Sequence, residues 1–349
     1  TRRSSDLAVL RAFGVVGGGA VTGAAVRATL DRHRLRGDLS EAGATYWLPV
    51  VHGDDATLQI ELPPGTDPSE VQVAVPRVSH LWVLPGAEAP RAGGAVQRAS
   101  GACEQDAVCS PEYEAQGRSV ARLLFTDQGA SVMCSGVLLA DVDRTGRPLL
   151  LTAQHCISDP AAASSLVTYW FYRASACNSG TLSSQVVERT GGADLVYTSA
   201  TEDATLLEIT ALAARPPAGA VHAGSLLGPP ALGTALAGLH HPQGDLLKLS
   251  LGALQGYSAC TSPSPGVINC SASDVTGGGY LSLAWSSGVT EGGSSGSPAF
   301  ATVGGQRYVA GHLAGGSSTC SQPNLPDYYS RFDRLYPALR TWLGTLPGG

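Results

Sequence analysis

Glu291-Gly292-Gly293-Ser294-Ser295-Gly296-Ser297-Pro298 places one serine between glycines in a turn. Glycine lets the backbone take φ > 0 and lets a substrate carbonyl come close. The N–H groups of such a turn can converge on a developing oxyanion. By itself a Gly/Ser turn fits a surface loop equally well. Two further stretches give it weight. In Leu150-Leu151-Thr152-Ala153-Gln154-His155-Cys156 an apolar strand runs directly into a His-Cys pair. In Asp203-Ala204-Thr205-Leu206-Leu207-Glu208-Ile209 an Asp opens an apolar run.

The three residues occur in the order His155, Asp203, Ser295. That is the chain order of the double β-barrel serine proteases, and it differs from that of subtilisin and the α/β-hydrolases. On these motifs, with Thr168-Tyr169-Trp170 and His240-His241-Pro242, the chain resembles the chymotrypsin-like family, and within it the bacterial lysyl endopeptidases. The resemblance covers about residues 103–342. It implies an all-β, chymotrypsin-like double six-stranded β-barrel. Its active site would lie in the cleft, with His155 and Asp203 from the first barrel and Ser295 from the second.

Composition agrees with an all-β chain. Of 349 residues 43% are hydrophobic and 14% charged, enough for large cores, and Gly 44 with Pro 22 favours many turns. A net charge of −6 and a pI near 5.7 argue against nucleic acid as a partner. No apolar run reaches the roughly 18 residues that span a bilayer. The eight cysteines have no repeated CxxC spacing, which disfavours zinc. A disulfide framework and an oxidising compartment, outside the cell or in the periplasm, fit better. The resemblance implies Cys134–Cys156, Cys103–Cys320 and Cys109–Cys177. Cys260 and Cys270 remain, lie close in sequence and are paired on that ground. Lys248 is the one lysine among 22 basic residues. Genomic base composition would explain that, as would a secreted protease with few sites for its own attack.

Residues 1–30 read as the start of a processed chain and 31–43 as charged and turn-like. A small β module is expected over about 44–84, with strands at 46–51, 57–62 and 71–75. His52 and His80 there read as lone histidines. A Pro/Gly/Ala linker with Arg91 and Arg98 follows, just before the first cysteine. The expected division is a propeptide region over 1–98 and a protease domain over 99–349, processed at Arg98–Ala99. From there strands are expected at 120–125, 132–139, 149–151, 166–172 and 205–209, and a short amphipathic helix over 336–346.

A serine hydroxyl near neutral pH needs a base within hydrogen-bond reach and a group that orients the base. The resemblance assigns Ser295 as nucleophile, His155 as general base, Asp203 as its orienter, and the N–H groups of Gly293 and Ser295 as the oxyanion hole. Ser294 and Ser297 are rival nucleophiles and Asp194 a rival orienter. His240 and His241 read as structural or near a substrate edge, and His222 and His312 as ordinary core or surface histidines. Asp327 matches the carboxylate that binds the substrate ammonium in lysyl endopeptidases, beside Leu313, Ala314 and Gly315. Two departures widen the expected specificity to Lys and/or Arg. Ala314 stands where the relatives carry a His, and Val275-Thr276 precedes Gly277-Gly278-Gly279 where they carry an aromatic.

The implied activity is that of a secreted, monomeric serine endopeptidase, made as a precursor, acting on protein or peptide substrates with no cofactor and no metal. Its other partner would be its own propeptide. Two rivals remain: a glutamyl endopeptidase-like enzyme, which would want a histidine in the pocket, and a binding protein on an inactivated protease scaffold.

Overall fold

The structure is a computed structural model that describes residues 7–14, 18–41, 43–51, 55–79, 100–209, 214–264 and 267–345. Two strands, β1 (Val9–Phe13) and β2 (Gly18–Thr22), lead into helix α1 (Gly23–Leu35), and β3 (Thr57–Glu61) completes an antiparallel sheet in the order β2-β1-β3. The Thr22 hydroxyl caps α1 by accepting the Ala25 N–H at 3.2 Å. Sequence reading missed most of this. The buried residues of α1 are Thr29 and His33, both polar, so no apolar stripe marks the helix. Two expected strands are corrected. Residues 46–51 form no ladder, and Pro49 within them lacks an N–H to give one. Residues 71–75 alternate in polarity but meet no partner strand, with Val73 and Val75 exposed. His52, His80 and the Arg98–Ala99 bond lie outside the described residues.

A short strand β4 (Gln105–Asp106) and helix α2 (Glu114–Gly117) open the larger part. Next come β5 (Val120–Asp127), β6 (Ala130–Leu139), β7 (Leu149–Ala153), helix α3 (Pro160–Ser164), β8 (Val167–Trp170), β9 (Val187–Arg189), β10 (Asp194–Ser199) and β11 (Ala204–Glu208). They make one antiparallel sheet in the order β10-β11-β7-β6-β5-β8-β9, with no ladder joining its two edges among the described residues. The rest is β12 (Ala235–His240), β13 (Lys248–Ser264), β14 (Val267–Ser273), β15 (Tyr280–Ser287), β16 (Pro298–Val303), β17 (Gln306–Gly316), β18 (Asp327–Arg331) and helix α4 (Phe332–Leu343). Here β12-β16-β17-β18-β15-β13 close on themselves through the β12–β13 ladder into a six-stranded barrel, from which the β13–β14 hairpin projects.

Strand β7 shows why the apolar run leads where it does. It is buried on both faces, so period two sends its side chains to two cores. Leu149 and Leu151 join Leu206, Leu239, Phe300 and the α4 residues Phe332, Leu335 and Leu339, in a core that spans both sheets. Leu150 and Ala153 join Leu123, Leu138 and Trp170 inside the first sheet. A strand so anchored holds its last residue, and the histidine two positions on, at a fixed place.

Four disulfides are present: Cys103–Cys320, Cys109–Cys177, Cys134–Cys156 and Cys260–Cys270. The first closes a separation of 217 residues and the last one of 10. On the chain-entropy account, removing Cys103–Cys320 by paired serine substitutions should cost about 5 kcal/mol, and removing Cys260–Cys270 about 3 kcal/mol. Urea midpoints of the two variants test this; equal losses would show that the loop-length term does not govern.

Candidate active site

Asp203 sits in the turn before β11 with φ +44°, a region that Asp tolerates better than most residues. Neighbouring β7 and β11 bring it to the end of the strand that leads to His155. Both its carboxylate oxygens face that residue. Oδ1 accepts the His155 backbone N–H at 2.9 Å, and Oδ2 lies 2.8 Å from Nδ1. Nδ1 is therefore the protonated nitrogen, and Nε2 is left as an acceptor. The Asp203 carbonyl accepts the Gln154 N–H at 3.0 Å and the Nε2–H of the fully buried His312 at 2.8 Å. His312 is thus a support that sequence reading passed over. The available signal was a polar ring closing the apolar Tyr308-Val309-Ala310-Gly311 run, where burial demands a partner.

The serine turn, between β15 and β16 of the barrel, packs backbone to backbone on the first sheet. Gly293 and Gly296 take φ of +87° and +78°. A Cβ on Gly296 would stand 2.3 Å from Thr152 Oγ1, 2.5 Å from the Ser135 carbonyl and 2.7 Å from the Ala153 nitrogen. Only glycine permits that approach. The Ser135 N–H donates to the Ser295 carbonyl at 2.8 Å, and its hydroxyl to the Gly293 carbonyl at 2.9 Å. Ser295 is half-buried, whereas Ser294 and Ser297 are fully buried. Of the three serines, 295 is the one that is not fully buried. The rival orienter Asp194 lies at the far end of β10, paired with Arg32 at 3.5 Å and Arg36 at 3.4 Å.

Asp327 opens β18 and is fully buried. Its Oδ2 accepts from Trp285 Nε1 at 2.6 Å, Thr290 Oγ1 at 2.7 Å and Ser318 Oγ at 2.7 Å; Oδ1 accepts the Ser318 N–H at 3.1 Å. A Cβ at Gly316 would lie 1.9 Å from Oδ1, so only glycine permits the backbone to come this close to the carboxylate. His155, Asp203, Thr261, Ser262, Val267, Ile268, Tyr280 and Ala314 line one pocket. The β13–β14 hairpin, bridged by Cys260–Cys270, therefore forms its wall. Ile268 Cγ2 lies 3.1 Å from where a Cβ on Gly315 would be. No group of three or more metal-ligating side chains occurs among the described residues.

Beneath the serine turn lies a buried polar layer. Burial lowers the pKa of His240 and of His241 to about 3, so both rings are neutral. Burial, with the Glu291 carboxylate adding to it, pushes Glu104 up to about 8. Lys248 is buried too, 2.5 Å from Asp106 Oδ1 and 3.8 Å from Asp245.

These shifts set the pH dependence of stability. The unfolded histidines take up protons below their ordinary 6.5 while the folded ones refuse them until about 3, so stability falls as the pH drops through that window. Glu104 acts oppositely. It holds its proton in the fold up to about 8 and loses it near the ordinary 4.5 when unfolded, so its contribution fades as the pH rises from 4.5 to 8. Together they place the stability maximum near pH 6.5. Glu104→Gln should flatten the alkaline limb and steepen the acid limb between pH 4.5 and 6.5, where the Glu104 contribution opposes that of the histidines. Urea midpoints between pH 3 and 9 test this, and an alkaline limb that persists in Glu104→Gln would refute it.

Comparison with known proteins agrees with the motifs. The family described as "Lysyl endopeptidase, C-terminal domain" matches residues 97–330, and "Lysyl endopeptidase N-terminal domain" matches residues 2–82. The chain is 36% identical over 306 residues to the lysyl endopeptidase of Pseudomonas aeruginosa, covering 83% of this chain and 62% of that protein. The chain thus spans less than two thirds of that relative's length. Among solved structures, the active form of the Rv3671c protease of M. tuberculosis overlaps with a TM-score of 0.44 at 16% identity, over 70% of this chain and 88% of that one. The MamO protease domain of Magnetospirillum magneticum overlaps at 0.43 and 11%, over 65% and 98%. The fold rests on the strand ladders above rather than on these likenesses. With its main part and its amino-terminal part both matched, the chain belongs to the lysyl endopeptidase family.

Proposed function

We propose that the chain is a secreted serine endopeptidase, made as a precursor, that cleaves peptide bonds after Lys and/or Arg. The observation that carries the reading is the two-oxygen grip of Asp203 on His155, at the strand end against which the serine turn packs. In this reading Ser295 Oγ attacks the scissile carbonyl and His155 Nε2 takes its proton. Asp203 holds the ring in the Nδ1–H tautomer and stabilises the imidazolium. The N–H groups of Gly293 and Ser295 receive the oxyanion. His155 then returns the proton to the leaving amine, and water, activated by the same ring, resolves the acyl-enzyme. This chemistry calls for no metal.

Asp327 is the reading's specificity residue. Four neutral donors hold its carboxylate, and none of them cancels its charge. With Oδ1 taking one bond, a substrate ammonium or guanidinium supplies the counter-charge that a buried carboxylate demands. Leu313, Ala314 and Gly315 are the extended segment along which the substrate would lie. Residues 1–98 are the propeptide region and 99–349 the protease. Arg32 of α1 and Arg36 at its C-cap, on Asp194 and Glu208, are the propeptide's footing. The four disulfides suit an oxidising, extracellular setting.

Ser295→Ala and His155→Ala should each lower kcat by at least about 10³-fold. Asp327→Asn should lower kcat/KM on Lys- and Arg-amide substrates by about 10²-fold, mostly through KM. Fluorogenic Lys-, Arg- and Glu-amides measure both, and turnover of the Glu-amide alone would overturn the specificity. Amino-terminal sequencing of active enzyme places the processing bond; a start far from Ala99 would refute cleavage at Arg98–Ala99.

A further inference from the structure

His240-His241-Pro242 takes no part in the reaction described above, yet the loop that follows β12 runs directly under the serine turn. The Gln243 N–H donates to the Gly292 carbonyl at 2.6 Å. The His241 N–H donates to the Ser135 hydroxyl at 3.0 Å, and that hydroxyl donates to the Gly293 carbonyl at 2.9 Å. A Cβ on Gly293 would stand 2.9 Å from the His241 carbonyl. At the centre, the fully buried His240 ring has Nδ1 2.8 Å from Ser294 Oγ and Nε2 2.9 Å from Ser250 Oγ.

The proton positions follow from the acceptors. Ser250 Oγ donates its proton to the Val289 carbonyl at 2.7 Å, so toward His240 it accepts, and Nε2 carries the hydrogen. The ring is neutral, so Nδ1 is an acceptor and takes the Ser294 hydroxyl proton. Ser294 Oγ in turn accepts the Glu291 N–H at 3.2 Å, and the Ser294 N–H donates to the Glu291 carbonyl at 3.0 Å. One chain therefore runs from the Val289 carbonyl through Ser250, His240 and Ser294 to the Glu291 N–H.

We propose that His240 is a positioning residue for the oxyanion hole, holding Ser294 so that the N–H groups of Gly293 and Ser295 point into the cleft. The inference rests on the reading of Ser295 as nucleophile. A peptide unit is planar, with its C=O and N–H opposed. The Gln243 bond to the Gly292 carbonyl fixes the plane whose other edge is the Gly293 N–H. The Ser297 N–H, donating to the Ser294 carbonyl at 3.0 Å, fixes the plane that carries the Ser295 N–H. Ser294 lies between these two planes, and its side chain is the handle by which the barrel holds it. The buried groups closest in charge to the ring are Glu104, whose Oε2 is 3.8 Å from Nε2, Lys248 and the neutral His241.

The test is kinetic. Ser294→Ala and His240→Leu should each lower kcat on a Lys- or Arg-amide by about 10- to 100-fold, part of the loss seen when an oxyanion donor is removed, with KM within twofold. Because they act on one chain, the double variant should be no slower than the slower single. His240→Asn, whose amide oxygen stands at the Nδ1 position, should recover most of the loss. A peptide aldehyde, whose adduct places an oxygen in the hole, should weaken in proportion to kcat/KM, while a simple cationic competitor keeps its affinity. A merely structural role would move thermal stability and leave these ratios alone. Should His240→Leu fail to fold, Ser294→Ala decides. Wild-type kcat in Ser294→Ala beside a dead Ser295→Ala would overturn this inference only. Activity in Ser295→Ala would remove the nucleophile reading and this inference with it.

Discussion

No side chain can exist at position 296. The Ser135 carbonyl, the Thr152 hydroxyl and the Ala153 nitrogen already occupy the space that a Cβ would need. The serine turn and the end of β7 therefore meet backbone to backbone, and the rest of the site follows from that contact. It sets the turn from the closed barrel against the strand that leads to His155. The same strand is locked by leucines on both faces, in a core that α4 seals from outside. Any shift at the contact would have to move two packed cores, which interiors of ordinary protein density resist.

A second constraint is polar. Glu104, Asp106, His240, His241, Asp245 and Lys248 all lie buried behind the serine turn. Lys248 neutralises Asp106 directly, and Asp245 accepts the Ser100 hydroxyl at 2.6 Å. The Gly101 N–H meets the Glu291 carboxylate at 2.8 Å, and the Cys103–Cys320 bridge ties the same segment down. The segment at 100–103 is thereby stitched to the back of the turn. A buried network specifies one geometry when its members are satisfied. Here Glu104, whose carboxyl lacks a well-formed side-chain partner, is the weak member, and burial holds its proton on well into the neutral range. The chain's only lysine is one of the network's ions. Its burial supplies a structural reason for keeping it, in addition to the two that composition suggested.

Some elements were legible because their signal is local. The expected strands at 120–125, 132–139 and 205–209 correspond to β5, β6 and β11. Strand β7 was legible as an unbroken apolar run, and α4 as an amphipathic tail that begins somewhat earlier, at Phe332. Helix α1 was hidden because its buried face is polar, and the alternation at 71–75 misled because a strand needs a partner as well as a pattern. Among the candidate site residues, His155, Asp203, Asp327 and the serine turn stood out by motif. His312, Ser135 and Ser294 did not, since each acts on a backbone group or a ring far away in the chain.

What the sequence determined by itself was the inventory: a glycine-framed serine turn, a histidine after an apolar strand, an aspartate before another, paired cysteines and a family resemblance. Those features are written in consecutive residues and survive without the fold. Tertiary structure decided which of three neighbouring serines keeps some exposure, which histidine meets Asp203 and which lie buried beneath the turn. It also decided that Asp327 is caged by neutral donors. These are distances between residues up to 217 positions apart, set by strand order and packing, and no local pattern in the chain encodes them.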